Sequence, residues 1–145
     1  MQFDKDMEIT RIGVRVFSYT SQIRRAFGHS HPGPANTARQ TLLEIETRGG
    51  AKGYAFGMQP ELVDRVLVPM LIGENALYRE KIWQKLSELQ RGNGATLSDA
   101  MMALVDVALW DLAGRAVGLP VQQLLGAFRD KIPAYASTMV GDADL

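Results

Sequence analysis

The stretch DVALWDLAGRAVGLPVQQLLG, Asp106 to Gly126, decides how this chain is read. From Met101 to Val117 the residues are apolar nearly all round a helical wheel, which predicts a central helix rather than a peripheral one. Gly118-Leu119-Pro120 closes that helix, and a short one follows to Gly126. Two aspartates interrupt the apolar run. Two carboxylates can divide acid and base roles only when both face one substrate. At 100° per residue, positions 106 and 111 lie about 140° apart around the helix, so Asp106 and Asp111 address different neighbours. Asp111 has Arg115 one turn on, a favourable i,i+4 pair. Asp111 is therefore expected to be an architectural carboxylate, held by an arginine or by backbone donors.

Upstream, Met7 to Tyr19 alternates Ile9, Ile12, Val14 and Val16 with Arg11 and Arg15, which predicts a strand. Ser21 to Asn36, SQIRRAFGHSHPGPAN, has no period and ends in a Gly/Pro cluster. It reads as a long loop, and loops of that length in compact domains usually carry function or lack order. TLLEIETRGGAKGYAFG then reads as a hairpin. Leu43 and Ile45 alternate with Glu44 and Glu46, Gly49-Gly50 is expected to supply positive φ, and Tyr54 and Phe56 lie on the return strand. Pro60 opens a helix with Leu62, Val63, Val66, Leu67 and Met70 on one face, stopping near Leu71-Ile72-Gly73. Asn75 is a candidate cap for a second helix buried through Ile82, Leu86 and Leu89 beside Trp83. Thr96 with Asp99 looks like a capping box opening the central helix. Lys131 to Thr138 returns to strand character. Three strands, then helices, then one more strand make an α+β plan.

At 145 residues the chain can bury a real core as one domain. Sixteen basic residues balance sixteen acidic ones, so no net field draws the chain to nucleic acid or an anionic membrane. The absence of cysteine excludes disulfides, thiolate catalysis and Cys-based zinc sites. MQFDKDMEIT has no apolar signal core, and no run reaches the ~18 apolar residues of a membrane helix. A soluble cytoplasmic protein is the expectation. No G-x-x-x-x-G-K-[ST] or G-x-G-x-x-G occurs, so the glycines are not a phosphate cradle.

The helix Asp106, Ala108, Leu109, Trp110, Asp111, Leu112, Gly114, Arg115, followed by Gly118, Leu119, Pro120 and then Leu124, Leu125, Gly126, resembles the signature of the mandelate racemase / muconate lactonizing enzyme family of the enolase superfamily. The opening strand, long loop, hairpin, Leu71-Ile72-Gly73 helix end and final I-P-A-Y-A-S strand fall in family order. Two departures stand out. Met101 and Leu104 replace small residues before the first aspartate, and the hairpin ends Gly53-Tyr54-Ala55-Phe56 where the family often has Gly-(Trp/Tyr)-Gly-Glu. A phenylalanine there resembles some acid-sugar dehydratases.

The resemblance implies an α+β, enolase-like N-terminal capping domain over residues 1–130, with 131–145 starting a TIM-type barrel. It implies a parent enzyme that removes a proton α to a carboxylate and stabilises the enediolate on Mg²⁺, as a racemase, epimerase, cycloisomerase or dehydratase, working as a homo-oligomer. The family's metal ligands and bases stand on later barrel strands, so no catalytic or metal-binding residue is carried over to this chain. A truncated or partly observed chain, inactive alone, is the expectation. The alternative is a stand-alone binding or oligomerisation module.

In the family the loop after the first strand and the turn after the hairpin cover the barrel mouth and select substrate. Here these are Gln22 to Pro34 and Phe56 to Gln59. Ile23, Phe27 and Phe56 are candidates for an apolar wall that excludes water from a small carboxylate substrate, a hydroxy acid or acid sugar. Arg24, His29 and His31, with Arg25 beside them, are candidate donors to hydroxyls or a second carboxylate. His29 and His31 also have the spacing of two metal ligands on one strand face, but no third ligand is in reach by sequence. Ser137, near the C-terminal end of the final strand, is the last candidate substrate contact.

Overall fold

The computed structural model describes residues 2–21, 35–93 and 97–134. A short helix, α1 (Gln2–Asp6), leads into β1 (Ile9–Ser21), which pairs antiparallel with β2 (Asn36–Thr47), and β2 pairs antiparallel with β3 (Lys52–Phe56). Sheet order is β1-β2-β3, the expected meander. Helices follow: α2 (Pro60–Leu62), α3 (Val68–Leu71), α4 (Arg79–Asn93), α5 (Asp99–Val117) and α6 (Val121–Leu124). None of them is long and apolar enough to cross a membrane.

One face of the sheet makes the core. Ile12, Leu43, Ile45 and Ala55 meet Leu67, Leu71, Ile82, Leu86, Met102, Val105, Leu109 and Leu112 there. Ile9 and Ile12 both reach this core although they are three residues apart. A register shift between Ile9 and Arg11 inserts the extra residue that allows it. The approach of α5 to β3 is set by Gly53. A Cβ on it would lie 2.0 Å from the Ala108 carbonyl oxygen and 2.6 Å from the Leu112 Cβ, so only glycine permits this packing.

Several local expectations are refined. Only Gly50 of the hairpin pair has positive φ (+83°), and its N–H closes the turn onto the Thr47 carbonyl at 2.9 Å. Gly49 is needed for space instead, since a Cβ there would sit 2.8 Å from the Asp6 Cβ. The segment from Pro60 to Leu71 contains a π-turn, Val63–Leu67, with the Val68 N–H reaching the Val63 carbonyl. Pro69 has no N–H to give and its ring crowds the preceding turn, and the wider π-turn relieves both demands.

Asn75 caps a turn rather than α4: its Oδ1 accepts the Leu77 N–H at 2.9 Å, and the helix starts at Arg79. The cap of α5 is Ser98, which accepts the Met101 N–H at 3.3 Å, in place of the expected Thr96. Gly118 ends α5 in the left-handed conformation (φ +69°). α5 is central, but by one face. Val107 is 53% exposed on the other, where its apolar residues have no layer above them among the described residues. Residues 131–134 belong to no regular element, and 135–138 lie outside the described residues.

Candidate functional site

Residues 22–34 of the expected long loop lie outside the described residues. β1 runs on to Ser21 and β2 begins at Asn36, with Ser21 paired to Asn36. The two strands thus continue past the end of β3 as a two-stranded ribbon, on which Val16, Phe17 and Tyr19 are exposed. Paired residues share a face, so Val16 with Thr41 and Ser18 with Arg39 continue the core side of the sheet. Phe17 with Gln40 and Tyr19 with Ala38 continue the outer side.

At the root of the ribbon, on its core side, is an open cleft of about 420 Å³ lined by Val16, Arg39, Gln40, Thr41, Gly57, Pro60 and Glu61. Its floor is fixed. Gly57 leaves β3 at φ +108° and donates its N–H to the Thr41 carbonyl at 2.9 Å. Of the turn Phe56 to Gln59, expected to border a substrate, Gly57 lines this cleft. Neither Arg39 nor Glu61 was legible as a site residue: Arg39 falls between the expected loop and the expected hairpin, and Glu61 falls in the first turn of the helix opened by Pro60.

The candidates Ile23, Arg24, Phe27, His29, His31 and Ser137 all lie outside the described residues, as does Arg25. Phe56 is described. It ends β3, 58% exposed, on the outer side of the sheet rather than in the ribbon cleft. It lines a second groove with Tyr54, Val107, Trp110, Asp111, Arg115 and Leu125, where β3 forms the sheet edge beside α5.

The two aspartates part company as their helical phase requires. Asp111 accepts the Tyr54 backbone N–H at 3.0 Å and the Arg115 Nε–H at 2.8 Å, both through Oδ2. A donor on an edge strand has no neighbouring strand to satisfy it, and Asp111 fills that role. The hydrogen bond from Arg115 to Asp111 raises the guanidinium pKa above its ordinary value, with the carboxylate's charge adding to it. Asp106 instead lines a shallow cleft with Tyr78, Arg79 and Trp110, and the Arg79 guanidinium stacks 3.6 Å from the Trp110 ring centroid. Asp111 is architectural, as its partner spacing predicts.

The outer face of the sheet carries a charged network not anticipated from the strand alternation. Glu44 is only 4% exposed, yet it sits there beneath Arg11, Arg15 and Lys52. Arg15 reaches it at 3.1 Å and Lys52 at 3.6 Å, and the stems of these long side chains cover it. Glu46 beside it is hydrogen-bonded by Arg11 at 2.8 Å, which holds its carboxyl below the ordinary value of 4.5. Among the described residues no group of three or more His, Cys, Asp or Glu is placed to hold a metal ion.

Comparison with known proteins gives this arrangement its relatives. Residues 11–126 match the family model of the mandelate racemase / muconate lactonizing enzyme N-terminal domain. A D-galactonate dehydratase of Pectobacterium atrosepticum is 36% identical over 108 residues, which are 68% of this chain and 28% of that protein. A D-galactonate dehydratase family member of Paenibacillus sp. (strain JDR-2) is 44% identical over 78 residues, 52% of this chain and 19% of that one. Among solved structures, the magnesium complex of D-glucarate dehydratase from Agrobacterium tumefaciens superposes with a TM-score of 0.81 at 42% identity. That match covers 92% of this chain and 36% of that one. The chain thus spans between about a fifth and about a third of the length of these relatives. The meander, the helical layer behind it and the α5 signature agree with the matched model, and the chain belongs to the mandelate racemase / muconate lactonizing enzyme family through its N-terminal capping domain.

Proposed function

We propose that this chain is the substrate-capping part of an acid-sugar dehydratase, a protein that takes the proton α to a carboxylate and expels the hydroxyl from the next carbon. The observation that carries the reading is the kinship with a D-galactonate dehydratase over two thirds of the chain, joined to the structural match with a D-glucarate dehydratase. The ribbon and the turn after β3 support it physically. A projecting two-stranded ribbon is marginal in water by itself and gains by folding against another surface. A lid of that kind excludes water and reads the distal end of a substrate.

In this reading Ile23, Phe27 and Phe56 give the lid its apolar side. Arg24, His29 and His31 donate to substrate oxygens, and Ser137 touches substrate from the far side. Asp106 and Asp111 take no part in proton transfer. The described residues do not fit a Mg²⁺ site, so the Mg²⁺ requirement of the whole protein rests on kinship, and no step is assigned to the metal through this chain. A homo-oligomer and a cytoplasmic location complete this reading.

One observation favours a second reading, a non-catalytic interaction module. The groove along β3 and α5 exposes Phe56, Val107 and Leu125 around Trp110, a composition suited to a protein contact. The two readings separate on one assay of the full natural polypeptide. It is incubated with Mg²⁺ and a panel of aldonates and aldarates, and 2-keto-3-deoxy products are sought by NMR. Water loss from a member of the panel supports the dehydratase. A folded protein that leaves the whole panel unchanged refutes it and favours the module.

A further inference from the structure

We infer that the cleft at the root of the ribbon is a subsite for the far end of a polyhydroxy carboxylate, and that Arg39 there selects acid sugars bearing a second carboxylate. The inference rests on the dehydratase reading and narrows its substrate class.

Most cations of the sheet are already paired. Arg11, Arg15 and Lys52 are committed to Glu44 and Glu46 on the outer face, and Arg115 is committed to Asp111. Arg39 lies on the opposite side of the sheet, exposed, and joins none of the ion pairs among the described residues. It opens onto a cleft of about 420 Å³, within the range of small-molecule sites.

The other lining groups narrow the ligand. Thr41 both donates and accepts, and Glu61 only accepts while ionised. A ligand matching this set offers a carboxylate to the guanidinium fork and hydroxyl donors to Glu61. A phosphate dianion is disfavoured by the Glu61 charge, and a purely apolar ligand would leave the polar groups dry and unpaired. Val16 and Pro60 supply flat apolar contact for the carbon chain. Position adds to composition. Gly57, from the turn after β3, lines the cleft, and its hydrogen bond to the Thr41 carbonyl fixes the floor.

The test uses the full natural polypeptide and the variants Arg39→Gln and Arg39→Lys. D-glucarate is the dicarboxylate probe and D-galactonate the monocarboxylate probe. Wild type is expected to favour D-glucarate. In Arg39→Gln the ratio of kcat/KM for D-glucarate to that for D-galactonate should fall about 30-fold through KM, the loss expected for one charge-assisted contact. Arg39→Lys should recover part of it. A wild type that turns over D-galactonate alone, or an Arg39→Gln variant with an unchanged ratio, overturns the inference and leaves the dehydratase reading standing. If neither probe is turned over, the dehydratase reading has failed for both, and calorimetric titration of each probe then tests the subsite separately. D-glucarate binding weakened by Arg39→Gln upholds the subsite, and binding that is absent or indifferent to Arg39 overturns it.

Discussion

The Asp111 carboxylate accepts the Tyr54 backbone N–H at 3.0 Å, so the helix that carries the family signature satisfies the edge of the sheet it covers. Arg115 holds the same oxygen from the next turn of α5. Asp111→Ala should therefore cost about 1–2 kcal/mol by stranding an edge-strand donor and releasing the arginine. Asp111→Asn keeps an acceptor for Tyr54 and should cost less. Urea denaturation of the two variants checks the order. If both are as stable as wild type while the full protein loses its chemistry, the architectural role is wrong.

The hairpin glycines separate steric need from conformational need. Gly53→Ala places a methyl group 2.0 Å from the Ala108 carbonyl, and backbone must move to admit it. The cost should be about 3 kcal/mol or more. Gly50→Ala meets nothing within 4 Å and bears only the left-handed penalty at φ +83°, about 1–2 kcal/mol. Thermal melts of both variants should rank Gly53→Ala as the more damaging. The reverse order would show that α5 does not pack on β3 as described.

The parts of this fold legible in sequence were those in which one residue's period or φ decided the outcome. The strand alternation, the Gly73 and Gly118 stops, and the Ile82 and Leu86 stripe are of this kind. Features set by partners distant in sequence were not legible. Glu44 alternates as an exposed residue should, and its burial depends on Arg11 and Arg15 across the sheet and Lys52 on the next strand. Pro69 forced a π-turn because the helix continues to Leu71 in order to bury it. Arg39 became visible as a site candidate only when strand pairing placed it beside Gly57 and Glu61.

Acid should loosen the joint between α3 and α4. Glu74 is hydrogen-bonded by Lys81 at 2.7 Å and by Lys85 at 2.6 Å, and these bonds hold its carboxyl below the ordinary value of 4.5. A depressed carboxyl stabilises the fold above its unfolded pKa and loses that contribution as pH falls through the folded value. Stability should therefore fall from about pH 4.5 downward, and more steeply in wild type than in Glu74→Gln. Denaturant titrations between pH 3 and pH 7 compare the slopes. Identical slopes would mean that the lysines do not hold Glu74 in solution.

An acid-sugar dehydration is marked by where the proton goes. Loss of the C2 proton and the C3 hydroxyl from an acid sugar leaves an enol, and its ketonisation takes one proton from solvent at C3. The full natural polypeptide, turning over an acid sugar in D₂O, is expected to yield a 2-keto-3-deoxy acid carrying one deuterium at C3, read by ¹H NMR. A product without deuterium at C3, or no product from any acid sugar offered to the folded protein, would contradict the assignment of this chain to an acid-sugar dehydratase.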